Sequence, residues 1–193
     1  MLKKYALLLC LAASAVPALH GQASATASKV LDIQVGASVV GALSDYKSSF
    51  DSNSLKFLGY GVYSTIDFLP HIGLMLNFNQ ADARSPRTEY ERTYEVGGRY
   101  FVHYGRLKPY IKGMYGRGVF NFPPYPNDPT GPASANLAYN LFALGGGADF
   151  RLKPYLNLRA DYEWQKWGSD SYGLFPNGIA PQLFTLGVAY HFR

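Results

Sequence analysis

Asn157, Arg159, Asp161, Glu163 and Gln165 occupy every second position of one stretch. In an extended backbone this spacing puts two carboxylates, a guanidinium and two amides on the same side. Two carboxylates with separated acidities are the equipment of general acid–base catalysis. Here a guanidinium sits beside them, which suits an ion-pair network better than a tuned proton donor and acceptor. His71, His103 and His191 offer metal-ligand chemistry. Their wide separation in sequence fits solvated rim positions better than a ligand set. No catalytic residue, metal or cofactor is therefore assigned.

The element that positions the ionic row carries Leu156, Leu158, Ala160, Tyr162 and Trp164 on its other face. An oily face ending in Tyr and Trp needs an apolar medium extending past the strand, while the ionic face needs water or internal pairing. Lipid outside a closed sheet and a polar lumen inside it meet both needs. Eight such segments recur, near 31–43, 55–68, 72–80, 90–103, 107–120, 137–152, 155–167 and 182–192. The expected fold is all-β: an eight-stranded antiparallel up-and-down transmembrane β-barrel. Leu107-Lys108-Pro109-Tyr110 is echoed by Leu152-Lys153-Pro154-Tyr155, which places two similar short turns at one end. Longer connections at 45–54, 81–89, 121–136 and 168–180 belong to the other end, the outer one by the usual barrel rule. In these connections Phe122, Tyr125, Tyr172 and Phe175 are surface-recognition candidates, set among Pro, Gly, Ser and Asn.

Eight strands leave an interior just wide enough for side chains. Glu95, Arg99, Lys112, Asp149, Arg159, Asp161 and Glu163 face it by strand phase, and we expect them to plug it with salt bridges. With a turn near Lys153, Gly147 falls opposite Arg159 and Gly145 opposite Asp161, leaving room for the long side chains. Tyr60, Tyr94, Tyr100, Tyr104, Tyr110, Tyr155, Trp164, Trp167 and Tyr190 fall near strand ends, where they suit membrane-interface girdles. Arg117 has the lipid-facing phase of Ile111, Tyr115 and Val119, so either its head snorkels to the headgroups or a bulge flips it inward.

The chain has 193 residues, of which 16% are aromatic, with 16 tyrosines and 20 glycines. Lys3 and Lys4, an apolar run from Tyr5 to Val16 and small residues around Ala23-Ser24-Ala25 read as a cleavable signal peptide over 1–25, cut between 21 and 25. The barrel domain then covers 26–193. The single cysteine, Cys10, would leave with the signal, removing disulfides and thiol chemistry. The net charge of +5 would fall to about +3, too mild to suggest nucleic acid.

Thr185-Leu186-Gly187-Val188-Ala189-Tyr190-His191-Phe192 resembles the carboxyl-terminal assembly signal of bacterial outer-membrane proteins, with Thr185, Gly187, Tyr190 and Phe192 in the matching places and Arg193 following. Together with Gly145, Asp149 and Arg159-Ala160-Asp161-Tyr162-Glu163, it gives the chain a resemblance to the small eight-stranded outer-membrane barrels, which include the transmembrane domain of outer membrane protein A and the opacity-type surface proteins. The resemblance implies a Gram-negative outer-membrane location, outer-membrane lipid as surroundings and the barrel-assembly machinery as a partner during biogenesis. Some members of that group carry a trailing peptidoglycan-binding domain, and because the sequence ends at the eighth strand that tether is expected to be absent.

The expected role is structural or adhesive, with an extracellular partner reached through the loops. The alternatives are a narrow passive pore, a lipid-A-modifying barrel enzyme and a secreted soluble ligand-binding barrel. The histidines count against the enzyme, because their strand phase puts them at the short-turn end, away from outer-leaflet lipid.

Overall fold

The structure, a computed structural model, describes residues 31–44, 56–83, 89–122, 135–169 and 178–192. The signal-peptide reading lies outside these residues, as do Tyr125, Tyr172 and Phe175.

Period-two alternation runs through every strand: β1 (Asp32–Leu43), β2 (Lys56–Asp67), β3 (Ile72–Ala83), β4 (Tyr90–Phe101), β5 (Leu107–Asn121), β6 (Asn136–Lys153), β7 (Leu156–Trp167) and β8 (Gln182–Phe192). Each strand pairs antiparallel with the next, and β8 pairs with β1, so the sheet closes into a barrel. Closure matters in lipid, where an unpaired strand edge would leave backbone N–H and C=O groups without hydrogen-bond partners.

The burial pattern is the reverse of a water-soluble barrel. Leu186, Leu58 and Ile111 are 69%, 68% and 67% exposed on the outside, whereas Gln34, Thr65 and Gln165 are fully buried within. On β7 the ionic row faces in and Leu158, Ala160, Tyr162 and Trp164 face out. The soluble-carrier alternative, which needs its oily face inside, is thereby overturned.

The interior has two zones. The ionic groups fill the middle and the short-turn end. Toward the long connections Val40, Phe57, Phe120, Leu141, Trp167 and Leu183 pack together, with Glu89 and Glu91 also buried at that end.

Three expectations need correction. The β6–β7 register sets Gly147 against Asp161, Gly145 against Glu163 and Asp149 against Arg159. The reason is local: the turn falls after Lys153, and the register shifts between Arg151 and Lys153, so every pair slides by two residues. Tyr110 and Trp167 are not girdle residues; both have inward phase and are buried. Phe122 is not an exposed recognition residue. It is 2% exposed, with its ring 4.9 Å from Phe120. Of the two readings of Arg117, the bulge falls away: the residue stays in outward phase, paired without interruption to Tyr94 and Asn140.

Candidate functional site

The lumen is built around Asp149 on β6, which lies between two guanidinium groups from neighbouring walls. Arg99 Nη1 donates to its Oδ2 at 2.9 Å, and Arg159 donates through Nε at 2.6 Å and Nη2 at 2.9 Å. Arg99 also grips Asp67 with two bonds, at 2.9 and 2.7 Å, and Lys108 Nζ reaches the same carboxylate at 2.7 Å. Paired, fork-shaped contacts of this kind are the geometry that makes buried guanidinium groups tolerable.

A second cluster lies further along the lumen. Lys112 Nζ sits 2.6 Å from Asp161 and 2.5 Å from Glu163, while the Tyr110 hydroxyl donates to Asp161 at 2.5 Å. Gln165 Nε2 then donates to both Glu163 and Glu95, at 2.6 and 2.8 Å, and Trp167 Nε1 donates to Gln165 Oε1 at 2.7 Å. The two clusters are joined through rings, since Arg159 lies 4.2 Å from the centre of Tyr63 and 5.3 Å from that of Tyr110.

Glycine lets β7 come close here: a Cβ on Gly145 or Gly147 would lie 2.3 Å from the backbone oxygen of Tyr162 or Ala160, and next to Lys112 Cε at 3.1 Å or the Tyr110 hydroxyl at 2.9 Å. Glycine does face the long polar side chains, although at the corrected register.

Of the seven residues expected in the network, Arg99, Lys112, Asp149, Arg159, Asp161 and Glu163 form ion pairs among themselves or with Asp67. Glu95 makes no ion pair among the described residues and joins the network through Gln165, whose Nε2 donates to its Oε1. The sequence reading missed Asp67, Lys108, Tyr63 and Tyr110. Asp67 and Tyr63 carry inward phase on β2, opposite to Val62 and Ile66, so alternation alone would have nominated them.

The histidines do gather at the short-turn end without converging. His71 Nδ1 donates to the Phe101 carbonyl at 3.0 Å, His103 stacks edge-on against Phe101, and His191 Nε2 meets Asp32 at 2.5 Å. Partial burial, then the nearby Lys108 charge, holds the His103 imidazole below its ordinary range.

Little room remains. The space beside Tyr63, Arg159 and Asp161 is about 10 Å³, enough for roughly one water. The short-turn mouth, lined by Asp32, Gln34, His103, Lys108, Asn157 and His191, holds about 60 Å³. A small-molecule substrate site typically needs about 300 Å³ or more.

A closed, lipid-facing barrel with an ionic core places the chain in the class of eight-stranded transmembrane β-barrels. The chain belongs to the outer membrane protein beta-barrel domain family, whose model matches residues 6–192. Among solved structures, Neisserial surface protein A is similar, at TM-score 0.60 and 14% identity over 84% of this chain and 97% of that one. Ail, the attachment invasion locus protein of Yersinia pestis, gives 0.50 and 17% over the same shares. The N-terminal β-barrel domain of Pseudomonas aeruginosa OprF gives 0.52 and 11% over 82% and 97%. At these identities the likeness is one of fold. No curated protein sequence matches the chain.

Proposed function

We propose that this protein is a plugged barrel of the outer membrane whose function is structural and surface-directed, presenting the connections at its long-loop end for recognition or adhesion. One observation carries the reading: Asp149 of β6, bonded to both Arg99 of β4 and Arg159 of β7, ties these strands together inside the lumen, and the space left beside Tyr63, Arg159 and Asp161 is about one water in size. A barrel closed in this way is suited to act through its rim rather than its bore. The names of two fold relatives, a surface protein and an attachment invasion locus protein, lend support to a surface role.

The test has two arms. Purified protein in planar bilayers should give no stable large channels. Cells expressing variants shortened in turn at 45–54, 84–88, 123–134 and 170–177 should lose adhesion to host surfaces in at least one case, while the barrel keeps its heat-modifiable migration. Stable large channels in the first arm, or unchanged adhesion in every shortened variant, would overturn the proposal.

A further inference from the structure

Three cations stand at the short-turn mouth of the lumen. Lys108 pairs with Asp149 on β6 and Arg151 pairs with Asn157 on β7, both in the inward phase. Arg106 stands beside Arg151, whose backbone N–H donates to the Arg106 carbonyl at 2.8 Å, and all three residues line the space of about 60 Å³ at this end. Lys108 is answered by Asp67 at 2.7 Å. The Arg151 guanidinium has a carbonyl instead, that of Gly105 at 3.1 Å, and among the described residues neither it nor Arg106 meets a carboxylate.

The charge around this pair does not cancel. Asp67 and Asp149 are taken up by Arg99 and Arg159, while Asp32, the other carboxylate of the mouth, meets His191 at 2.5 Å and Lys108 at 3.7 Å. Like charges set side by side repel, and an oxyanion held between two guanidiniums turns that repulsion into paired, charge-assisted hydrogen bonds. The floor of the mouth adds a separate observation. Gln34 and Asn157 are buried and bonded to each other, Asn157 Nδ2 donating to Gln34 Oε1 at 2.9 Å. Gln34 Nε2 and Asn157 Oδ1 are then left without a hydrogen-bond partner, a donor and an acceptor beside the same space. Buried polar groups are destabilising when unanswered. Water would answer the two amides and leave the two positive charges standing.

We propose that Arg106, Arg151, Gln34 and Asn157 form a binding site for a phosphate group at the short-turn mouth. The guanidiniums take two of its oxygens, Gln34 Nε2 donates to a third, and Asn157 Oδ1 accepts from a hydroxyl carried on the phosphorus or next to it. A carboxylate has no third oxygen and no hydroxyl to give. Hydrogen phosphate supplies the hydroxyl as P–OH, and a phosphatidylglycerol headgroup supplies it from its glycerol. The space admits one such group and excludes a ligand of ordinary substrate size. The site is independent of the surface-recognition role and does not rest on it.

The test refolds the full chain in an uncharged maltoside detergent and titrates it with inorganic phosphate at constant ionic strength, reading binding by calorimetry. A second arm places the protein in nanodiscs of phosphatidylglycerol or phosphatidylcholine, and native mass spectrometry counts the lipid kept on release. The wild type should bind one phosphate, or keep one phosphatidylglycerol, in preference to sulfate, chloride and phosphatidylcholine, which carry no such hydroxyl. Binding of the free ion assigns the site to soluble phosphate; retention of phosphatidylglycerol without it assigns the site to a lipid headgroup. Arg106→Gln/Arg151→Gln should weaken whichever is bound by about tenfold, as the loss of charge-assisted bonds does. Lys153→Gln, at the same end but outside the mouth lining, should stay at wild type. Should the double variant fail to show heat-modifiable migration, Arg106→Gln alone carries the test with a smaller loss. Neither ligand held by the folded wild type, sulfate or chloride held as tightly as phosphate, or undiminished binding by the folded glutamine variant would overturn the assignment.

Discussion

Asp149 is the residue on which the lumen turns, because it serves two guanidinium groups that approach from β4 and β7. Replacing it with Leu leaves Arg99 with Asp67, but removes the carboxylate that both bonds of Arg159 engage. Breaking a buried pair from one side costs about 3 to 5 kcal/mol, since the remaining charge stays desolvated. Asp149→Leu should therefore lower unfolding stability in lipid vesicles by about that amount. The double variant Asp149→Leu/Arg159→Met removes the orphaned charge and should recover a large part of the loss, giving a strongly non-additive cycle. A loss below about 1 kcal/mol for the single variant would mean that Arg159 is solvated and the lumen is wet.

Strands constrain one another through such contacts, and β5 and β7 show it where no charge is involved. Gly118 on β5 lies beneath Trp167 of β7, and a Cβ there would approach three atoms of the indole ring at 2.5 to 2.6 Å. Gly118→Ala should push the ring out of its place and break its bond to Gln165, costing about 1 to 3 kcal/mol as overpacking does. In a Trp164→Phe background the indole emission should shift to the red, and Trp167→Leu should restore stability to the Gly118→Ala barrel. Unchanged emission would show that Trp167 does not fill the lumen as described. Neither this contact nor the register around it could be read in advance. Alternation reveals which face of a strand is oily, and that made eight strands and the inward ionic row on β7 legible from the sequence. It says nothing of how far one strand has slid along its neighbour. That is set by the turn after Lys153 and the irregularity between Arg151 and Lys153, and a two-residue slide preserves every face while changing every partner. Tyr110 and Trp167 were misplaced for another reason: nearness to a strand end suggested a girdle, while their phase, shared with Lys112 and Gln165, pointed in. Phe122 was read as loop by composition, although it continues the inward phase of Phe120 one position past the last residue of β5.

At the scale of the whole molecule, the lipid is the solvent that makes this sequence consistent. A belt containing Val39, Val62, Leu74, Val96, Ile111, Leu144, Leu158 and Leu186 would be an aggregation liability in water, and in a bilayer it is the folded surface. This difference can be measured on one strand. Leu186 lies near the middle of β8, paired with Val39 and Ala160, while Gln182 begins the same strand on the same face, paired with Leu43 and Trp164. Arginine at Leu186 should cost about 2 to 4 kcal/mol of stability in vesicles, and arginine at Gln182 about 0 to 1, because only the first must hold its charge in hydrocarbon. On the surface of a soluble barrel both substitutions would fall within about 0.5 kcal/mol of neutral. Equal small losses at the two sites would therefore remove the membrane from the account, whereas a gradient along β8 ties stability to depth. The gradient also bears on Arg117: it lies between these extremes on β5, so its own cost should be intermediate.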